Sequence, residues 1–307
     1  MNPIKLCCIF FLALVAYRLQ AQEIRTSLEN FFSEVRKGGY PKIPGVLTDT
    51  EDPGAVLTML APFLKDSADA VRASACEIAF SVSSRSSRIP ARSQAVNILL
   101  NACHDRDPAN VSRVVDLLTR FEKTDFVFPA ADSVRKFIQR QDDPFDRLMK
   151  LGAFLGLTDL IPEIRPYSQP GNRTQVRWAA LLSLARLGDP TALEDIMNRV
   201  RKLPLNDDLV YRIFPDLIFT RQQKPVDFVV SALQSDDRNC LSADTERETA
   251  IPCGYRIMEQ LAPVIEGYPL SLLESGDLET NDYTVALKNV RQWFQKNKDY
   301  TLRTDRY

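Results

Sequence analysis

Residues 172–202 read NRTQVRWAALLSLARLGDPTALEDIMNRVRK, and this stretch decides the fold. Apolar residues recur three and four positions apart on both sides of Gly188, which predicts two amphipathic helices, 172–187 and 191–202. Gly188 suits a left-handed helix end, and Asp189-Pro190 suits the N-cap and first position of the next helix. The stretch is therefore typical of a helical hairpin with a tight turn.

The same helical spacing continues outward in both directions. First helices of pairs are predicted at 66–81, 108–122, 143–156, 172–187, 205–221 and 249–266, and second helices at 91–103, 130–141, 159–167, 191–202, 224–234 and 282–297. Further helices are predicted at 23–36 and 53–65, around a Gly- and Pro-rich linker. The pairs begin about 30–45 residues apart, within the range of helical repeats. Because no segment alternates with period 2, we expect an all-α chain without strands.

A family resemblance rests on the central hairpin. Its Val176-Arg177, Ala179-Ala180 and Leu187-Gly188-Asp189-Pro190 resemble a HEAT repeat of the short bacterial type. The other predicted pairs carry weaker echoes of these positions: Val71-Arg72, Ala73 and Ala75; Asp107-Pro108, Val111 and Arg113; Asp208, Val210 and Arg212. The pairs that begin at 143 and 249 are degenerate. The resemblance implies an armadillo-type α-solenoid of about six stacked hairpins over residues 53–297.

The resemblance also implies a function and a place for it. Proteins of this type bind other macromolecules along a concave groove, so a protein or peptide partner is expected. The second helices, above all 91–103, 130–141 and 191–202, are expected to line that groove. The resemblance further implies that Arg72, Arg113, Arg177 and Arg212 form a structural ladder to acids in neighbouring repeats. A row of ligand-binding arginines is the alternative.

The N-terminus has the features of a secretion signal. Lys5 precedes the apolar run Leu6–Tyr17, and Ala21 offers a cleavage site. The run is too short for a bilayer-spanning helix, which needs about 20 apolar residues. We therefore expect residues 1–21 to be a signal peptide and the rest to be exported, periplasmic or secreted, with no later membrane span.

Four cysteines remain beyond the leader, which itself holds Cys7 and Cys8. Export places them where disulfides persist. Cys240 and Cys253 flank a polar stretch and can close a short loop, whereas Cys76 and Cys103 lie in successive predicted helices. Each pair is a candidate disulfide, and Cys76 and Cys103 are equally well explained as small buried apolar residues.

Residues with catalytic potential are few. His104, the one histidine, follows Cys103, but adjacent helical residues point in different directions, so we interpret His104 as part of a polar helix end. The acid pairs Asp142-Asp143, Asp207-Asp208 and Asp236-Asp237 fall near predicted helix junctions and are expected to cap helices. No phosphate-binding, nucleophile-elbow or metalloprotease motif is present. We expect no catalytic residues, cofactor or metal.

Charge narrows the class of partner. The formal net charge is −1, and no Lys/Arg-rich run occurs, which disfavours nucleic acid as a partner.

The domain prediction is a signal peptide (1–21), an N-terminal helix and linker (22–52), a HEAT-like repeat domain (53–297) and a polar tail (298–307). A binding scaffold is favoured, a structural envelope component without a discrete ligand is the alternative, and a lyase or hydrolase with a site in the groove is a weaker one.

Overall fold

A computed structural model describes the backbone over residues 3–242 and 249–303 and at Asp305 and Tyr307. Side chains are described from Gln20 onward within those ranges, so most of the predicted leader lies outside them. The chain divides into two compact units, Met1–Leu151 (unit 1) and Gly152–Tyr307 (unit 2). Each unit is mostly helical, as the sequence predicts. In the part of the chain with described side chains, no helix is both long and apolar enough to cross a membrane.

Unit 1 is built from helices joined by short links. They are α1 (Pro3–Arg36), α2 (Gly45–Thr48), α3 (Pro53–Met59), α4 (Asp69–Ser84), α5 (Ile89–Ala102), α6 (Pro108–Leu118) and α7 (Phe128–Arg140), with 3₁₀ turns at Phe63–Lys65 and Lys123–Asp125. The next helix, α8 (Phe145–Leu155), contains the boundary between the units.

The core of unit 1 lies between successive helices. Helix α4 packs on α5 and on α6, and α5 packs on α6 and on α7. First helices thus contact first helices, and second helices contact second helices. Fully buried side chains such as Ile78, Leu99 and Leu118 fill the space between them. Each such side chain stabilises the fold by about 1.5–3 kcal/mol.

Unit 2 contains the hairpin from which the repeat was inferred. Its helices are α9 (Ile161–Ile164), α10 (Thr174–Arg186), α11 (Pro190–Val200), α12 (Phe214–Phe219), α13 (Gln223–Leu233), α14 (Gly254–Leu261) and α15 (Tyr283–Lys296). Gly188 has a φ of 92°, and the Asp189 carboxylate accepts a hydrogen bond from the Ala192 amide at 2.9 Å. The predicted turn is therefore confirmed, and Ala179 and Ala180 are buried.

Proline interrupts two helical segments of unit 2, of which 205–221 was predicted to be continuous. The segment 205–221 begins as a π-helical turn, Leu209–Ile213, and continues as α12 from Phe214. Pro215 has no amide hydrogen to donate, which loosens the hydrogen-bond ladder at this point. Residues 158–168 likewise form only single turns, Thr158–Leu160, α9 and Arg165–Ser168, because Pro162 and Pro166 interrupt them.

The prediction that the chain lacks strands is wrong in one place. Strands β1 (Cys240–Leu241) and β2 (Ala250–Ile251) pair antiparallel, with Cys240 opposite Ile251. Ile251 precedes Pro252, and a residue before proline is disfavoured in the helical region, so α14 begins only at Gly254 rather than at residue 249. Cys240 and Cys253 form a disulfide across this ribbon, as the sequence allowed.

The predicted polar tail is an ordered part of unit 2, here called the strap (Tyr300–Tyr307, of which Thr304 and Arg306 lie outside the described residues). The Arg303 amide donates to the Val264 carbonyl oxygen at 2.7 Å, and Leu302 pairs with Ile265 in a β-bridge. Asp305 lies 2.5 Å from Arg186 and 3.0 Å from Arg221. The Tyr307 ring packs against Phe154 and Phe219. The sequence predicted only a polar tail at 298–307, because the partners of this segment lie far away in the sequence.

Candidate binding surface

The four predicted ladder arginines have different surroundings. Arg72 matches the prediction: its guanidinium bonds the Asp105 carboxylate at 2.7 and 2.8 Å, linking α4 to the turn after α5. Only 8% of the Arg72 side chain and 7% of the Asp105 side chain are exposed. The Arg72 hydrogen bonds lower the pKa of Asp105. This buried ion pair is structural, and we call such a pair a tie. Because the guanidinium of Arg72 is fully engaged, it is not available to a ligand.

The other three arginines depart from the ladder to different degrees. Arg113 reaches Glu77 on α4 only at 3.9 Å. Arg212 pairs with Asp208 of its own turn, and both side chains are largely exposed. The buried Nε of Arg177 has no hydrogen-bond partner among the described residues. The ladder prediction is therefore confirmed at Arg72, weak at Arg113 and wrong at Arg212.

A second tie, which the sequence analysis missed, lies at Arg92. Its guanidinium bonds the Asp125 carboxylate at 2.8 Å and the Ser86 carbonyl oxygen at 2.8 Å. Arg92 and Asp125 are 33 residues apart, the same separation as Arg72 and Asp105. Because one guanidinium holds both loops, the segment before α5 and the segment before α7 lie side by side. The signal available in the sequence was an acidic residue 33 positions after each of Arg72 and Arg92.

Three large apolar side chains are exposed where these two loops meet. Ile89 is 47% exposed, Val127 is 43% exposed and Phe128 is 83% exposed. Ile89 and Phe128 each open a second helix, directly before a proline at its first turn. Exposed apolar side chains gathered at one place favour a protein contact. We call Ile89, Val127 and Phe128 the apolar patch.

A polar cleft adjoins the apolar patch. It has a volume of about 220 Å³ and is lined by Thr48, Thr50, Glu51, Arg85, Ser87 and Arg88. Arg88 of the lining directly precedes Ile89 of the apolar patch in the sequence. Arg85 lies 3.4 Å from Asp49, but both side chains are about 70% exposed, and such pairs contribute little. The cleft, which we call the arginine cleft, offers several hydroxyl donors and two guanidinium groups to an acidic group, against the single carboxylate of Glu51.

The apolar patch does not coincide with the predicted groove helices. The predicted groove helices began at residues 91 and 130, whereas the apolar patch lies just before both positions. Helical periodicity identifies the residues on the buried face of a helix. The sequence analysis therefore did not single out exposed apolar residues that lie outside the period. The signal was the repeated order of an apolar residue, proline and alanine, at 89–91 and at 128–130.

Cys103 and His104 lie at the end of α5, as expected. The His104 ring is exposed and packs edge-to-face against Phe137, with ring centroids 5.3 Å apart. Burial raises the pKa of the Cys103 thiol to about 12. A thiol with so high a pKa is a poor nucleophile at neutral pH. Cys103 and His104 therefore do not form an activated dyad.

The Cys76–Cys103 disulfide is not formed. Both cysteines are free, and burial raises the pKa of the Cys76 thiol to about 12 as well. Cys76 is 3% exposed within α4, among apolar neighbours. The alternative interpretation, a small buried apolar residue, therefore describes Cys76 better than a disulfide partner does.

The three acid pairs do not cap helices through their side chains as predicted. Asp142 bonds Arg140 at 2.7 Å, Asp236 bonds Arg291 at 2.7 Å, and Asp207 accepts from the Leu241 amide at 2.9 Å. Side-chain caps come instead from Asp52, Asp107, Asp189 and Asp282. Among the residues with described side chains, no group of three or more His, Cys, Asp or Glu could hold a metal ion.

Known proteins add no assignment to this geometry. No protein-family model, curated protein or solved structure matches the chain.

Proposed function

We propose that this chain is an exported HEAT-like α-solenoid scaffold that binds a protein partner through the apolar patch and the arginine cleft of unit 1. The partner segment carries an acidic residue next to large apolar side chains. It acts by binding and performs no catalysis of its own. The observation that carries the proposal is the exposure of Ile89, Val127 and Phe128 beside Arg85 and Arg88.

The contacts within unit 1 support the repeat architecture. In stacked hairpins each first helix packs on the next first helix, and each second helix on the next second helix. Helices α4 and α6 make the first kind of contact, and α5 and α7 make the second. The Arg72–Asp105 and Arg92–Asp125 ion pairs, one on a first helix and one on a second helix, each join a helix to a loop 33 residues further along the chain. Both pairs link neighbouring elements, as the stacking of hairpins requires.

The chemistry of the surface supports an acidic, apolar partner segment. Aromatic and aliphatic anchors supply most of the binding energy at protein interfaces, while charged rims set specificity and the rate of encounter. Phe128 and Ile89 are suited to the first role. Arg85 and Arg88 are suited to the second, since guanidinium groups bond carboxylates with two parallel hydrogen bonds.

The disulfide supports export. Disulfides persist in oxidising compartments such as the periplasm and the extracellular space and are rare in the cytosol. Cys240 and Cys253 are both fully buried in unit 2 and joined to each other. Together with the leader-like residues 1–21, this pairing favours a periplasmic or secreted protein.

A peptide-display selection tests the proposal. The chain beginning at residue 22 is immobilised, and binders are selected from a random peptide library. Each enriched peptide is then measured against Phe128→Asp, which places a repelling charge on the patch, and against Tyr40→Asp. Tyr40 is fully exposed in unit 1 and outside the patch, so it serves as the matched control.

We expect the enriched peptides to carry Asp or Glu beside Leu, Phe or Trp. Their affinity for Phe128→Asp should fall at least about tenfold, as for a central interface residue worth more than 1 kcal/mol, and Tyr40→Asp should leave it unchanged. Peptides that are basic, or that bind Phe128→Asp as tightly, would contradict the proposed site. A selection that enriches nothing would favour the structural envelope role.

A further inference from the structure

Unit 2 contains a cavity of about 930 Å³ between α12, the loop after α14 and the strap. Its apolar wall is formed by Pro215, Ile218, Phe219, Val264, Leu272 and Tyr307. Pockets for small molecules usually have volumes of about 300–1,000 Å³, a mostly apolar lining and a few polar groups. The cavity fits that description, and it shares no lining residue with the apolar patch or the arginine cleft.

Arg303 of the strap is the cation best placed to meet a ligand. It lines the cavity, and its Nε donates to the Ile265 carbonyl oxygen at 2.9 Å, which holds the guanidinium in place. Its amide also donates to the Val264 carbonyl oxygen at 2.7 Å. No described residue hydrogen-bonds its two terminal nitrogens. A guanidinium fixed at Nε with Nη1 and Nη2 open presents one edge for a carboxylate.

Two other charged side chains line the same cavity. Arg221 adds a second guanidinium, whose Nε bonds Asp305 at 3.0 Å. Glu266 opposes an anionic ligand, although its carboxylate is engaged by the Thr301 hydroxyl at 2.9 Å. Asp305 pairs with Arg221 and the Thr301 hydroxyl bonds Glu266, so Arg303 is the charged group of the lining that is placed to meet a ligand, which favours a single negative charge on the ligand.

We propose that this cavity binds an amphipathic monocarboxylate, a molecule with one carboxylate and an alkyl or aryl body. The carboxylate lies against Nη1 and Nη2 of Arg303, and the apolar body lies along Ile218, Phe219 and Val264. Burial of the body provides the affinity, and the guanidinium provides the orientation. A fatty acid and the free carboxyl end of an apolar peptide share this chemistry.

Isothermal titration calorimetry on the full chain tests the proposal. The probes are decanoate, decylamine of the same length, and N-acetyl-Leu-Leu-Phe with a free carboxylate. We expect saturable one-to-one binding of decanoate, weaker binding of decylamine, and binding of the peptide only if the cavity admits a peptide backbone. Equal affinity for decanoate and decylamine, or no saturable binding of either carboxylate, would overturn the proposal.

Variants locate the site. Arg303→Gln removes the charge and should weaken decanoate binding about tenfold, the loss expected for a charge-assisted hydrogen bond. Glu266→Gln removes the opposing charge and should strengthen it. Ile218→Trp fills the apolar wall and should weaken binding, whereas Leu273→Trp, half exposed and outside the cavity lining, should not. Unchanged affinity in Arg303→Gln would exclude this orientation even if Ile218→Trp failed to fold.

The cavity and the partner surface are tested separately. Phe128→Asp should leave decanoate binding unchanged, and Arg303→Gln should leave peptide binding at unit 1 unchanged. Loss of both activities in either variant, with its circular dichroism spectrum and unfolding temperature unchanged, would contradict two independent sites.

Discussion

The two units are stabilised by ties of different range. In unit 1, Arg72 bonds Asp105 and Arg92 bonds Asp125, each across 33 residues. In unit 2, Arg186 bonds Asp305 across 119 residues, and Arg221 bonds the same carboxylate across 84. The near ties of unit 1 join helices to neighbouring loops. The ion pairs of unit 2 join residues that are far apart in the sequence, and they hold the strap in place.

The largest effect is expected at the near tie of unit 1. Asp105→Ala leaves Arg72 buried without its carboxylate, which should lower the free energy of unfolding by about 3–5 kcal/mol. The double variant Arg72→Met/Asp105→Leu should be much less destabilised, because no charge is left buried and unpaired. Hydrogen exchange of the backbone amides in α4 and α5 measures the loss of stability in both variants.

A matched arginine sharpens this result. Arg212→Ala removes another of the four predicted ladder arginines. Its pair with Asp208 is largely exposed, so the change in the free energy of unfolding should be less than about 1 kcal/mol. Similar losses for Asp105→Ala and Arg212→Ala would show that both arginines contribute equally, contrary to the distinction between a buried tie and a surface pair.

The disulfide should rank next. Cys240 and Cys253 are 13 residues apart, and closing a loop of that length stabilises a fold by about 3 kcal/mol in the chain-entropy model. Replacing both with Ala should lower the unfolding temperature of unit 2 and leave hydrogen exchange in α4 and α5 unchanged. Equal destabilisation of both units would contradict their separate description.

A smaller effect is expected at the far tie. The Arg186 side chain is only 3% exposed, but the Asp305 side chain is 31% exposed, so water can partly replace the carboxylate. Asp305→Asn should cost about 2 kcal/mol and speed hydrogen exchange in the strap (Tyr300–Tyr307) first. If exchange in the strap were unaltered, the interaction of Asp305 with Arg186 and Arg221 would not be what holds the strap.

The smallest effect is expected from lowering the pH, which changes the contribution of the paired carboxylates to stability. Arg72 lowers the pKa of Asp105, and Arg36 lowers the pKa of Asp66 through a pair at 2.5 Å. A carboxylate with a lowered folded pKa stabilises the fold above its unfolded pKa of about 4, and this contribution is lost as pH falls through the folded pKa. The stability difference between the native chain and Asp105→Ala should therefore be full at pH 7 and shrink below about pH 4. A pH-independent difference would show that lost packing, not charge, causes the effect.

Helices were predictable because their signals are local. Gly188, Asp189 and Pro190 end one helix and begin the next through interactions that span only a few residues, and the structure confirms that turn. The π-helical turn at Leu209–Ile213 was missed because apolar spacing outweighed the effect of Pro215. The strap was missed because its partners, Arg186, Arg221 and Phe154, lie far away in the sequence.

The candidate binding surface was only partly predictable. The period of the repeats indicates which helices lie second in each hairpin, and the apolar patch is at the start of two of them. Periodicity, however, identifies residues that face inward. The exposure of Phe128 and Ile89, and the Arg92 bonds that bring their two segments together, are properties of the folded structure.

A charge swap tests the proposed function most directly. The affinity of one enriched acidic peptide, and of the same peptide with Lys in place of its acids, is measured on the native chain and on Arg85→Glu/Arg88→Glu. The proposal predicts that the native chain prefers the acidic peptide and that the variant prefers the basic one, with Phe128 required in both cases. If the variant still bound the acidic peptide as tightly as the native chain does, the arginine cleft would not be the site that recognises the partner.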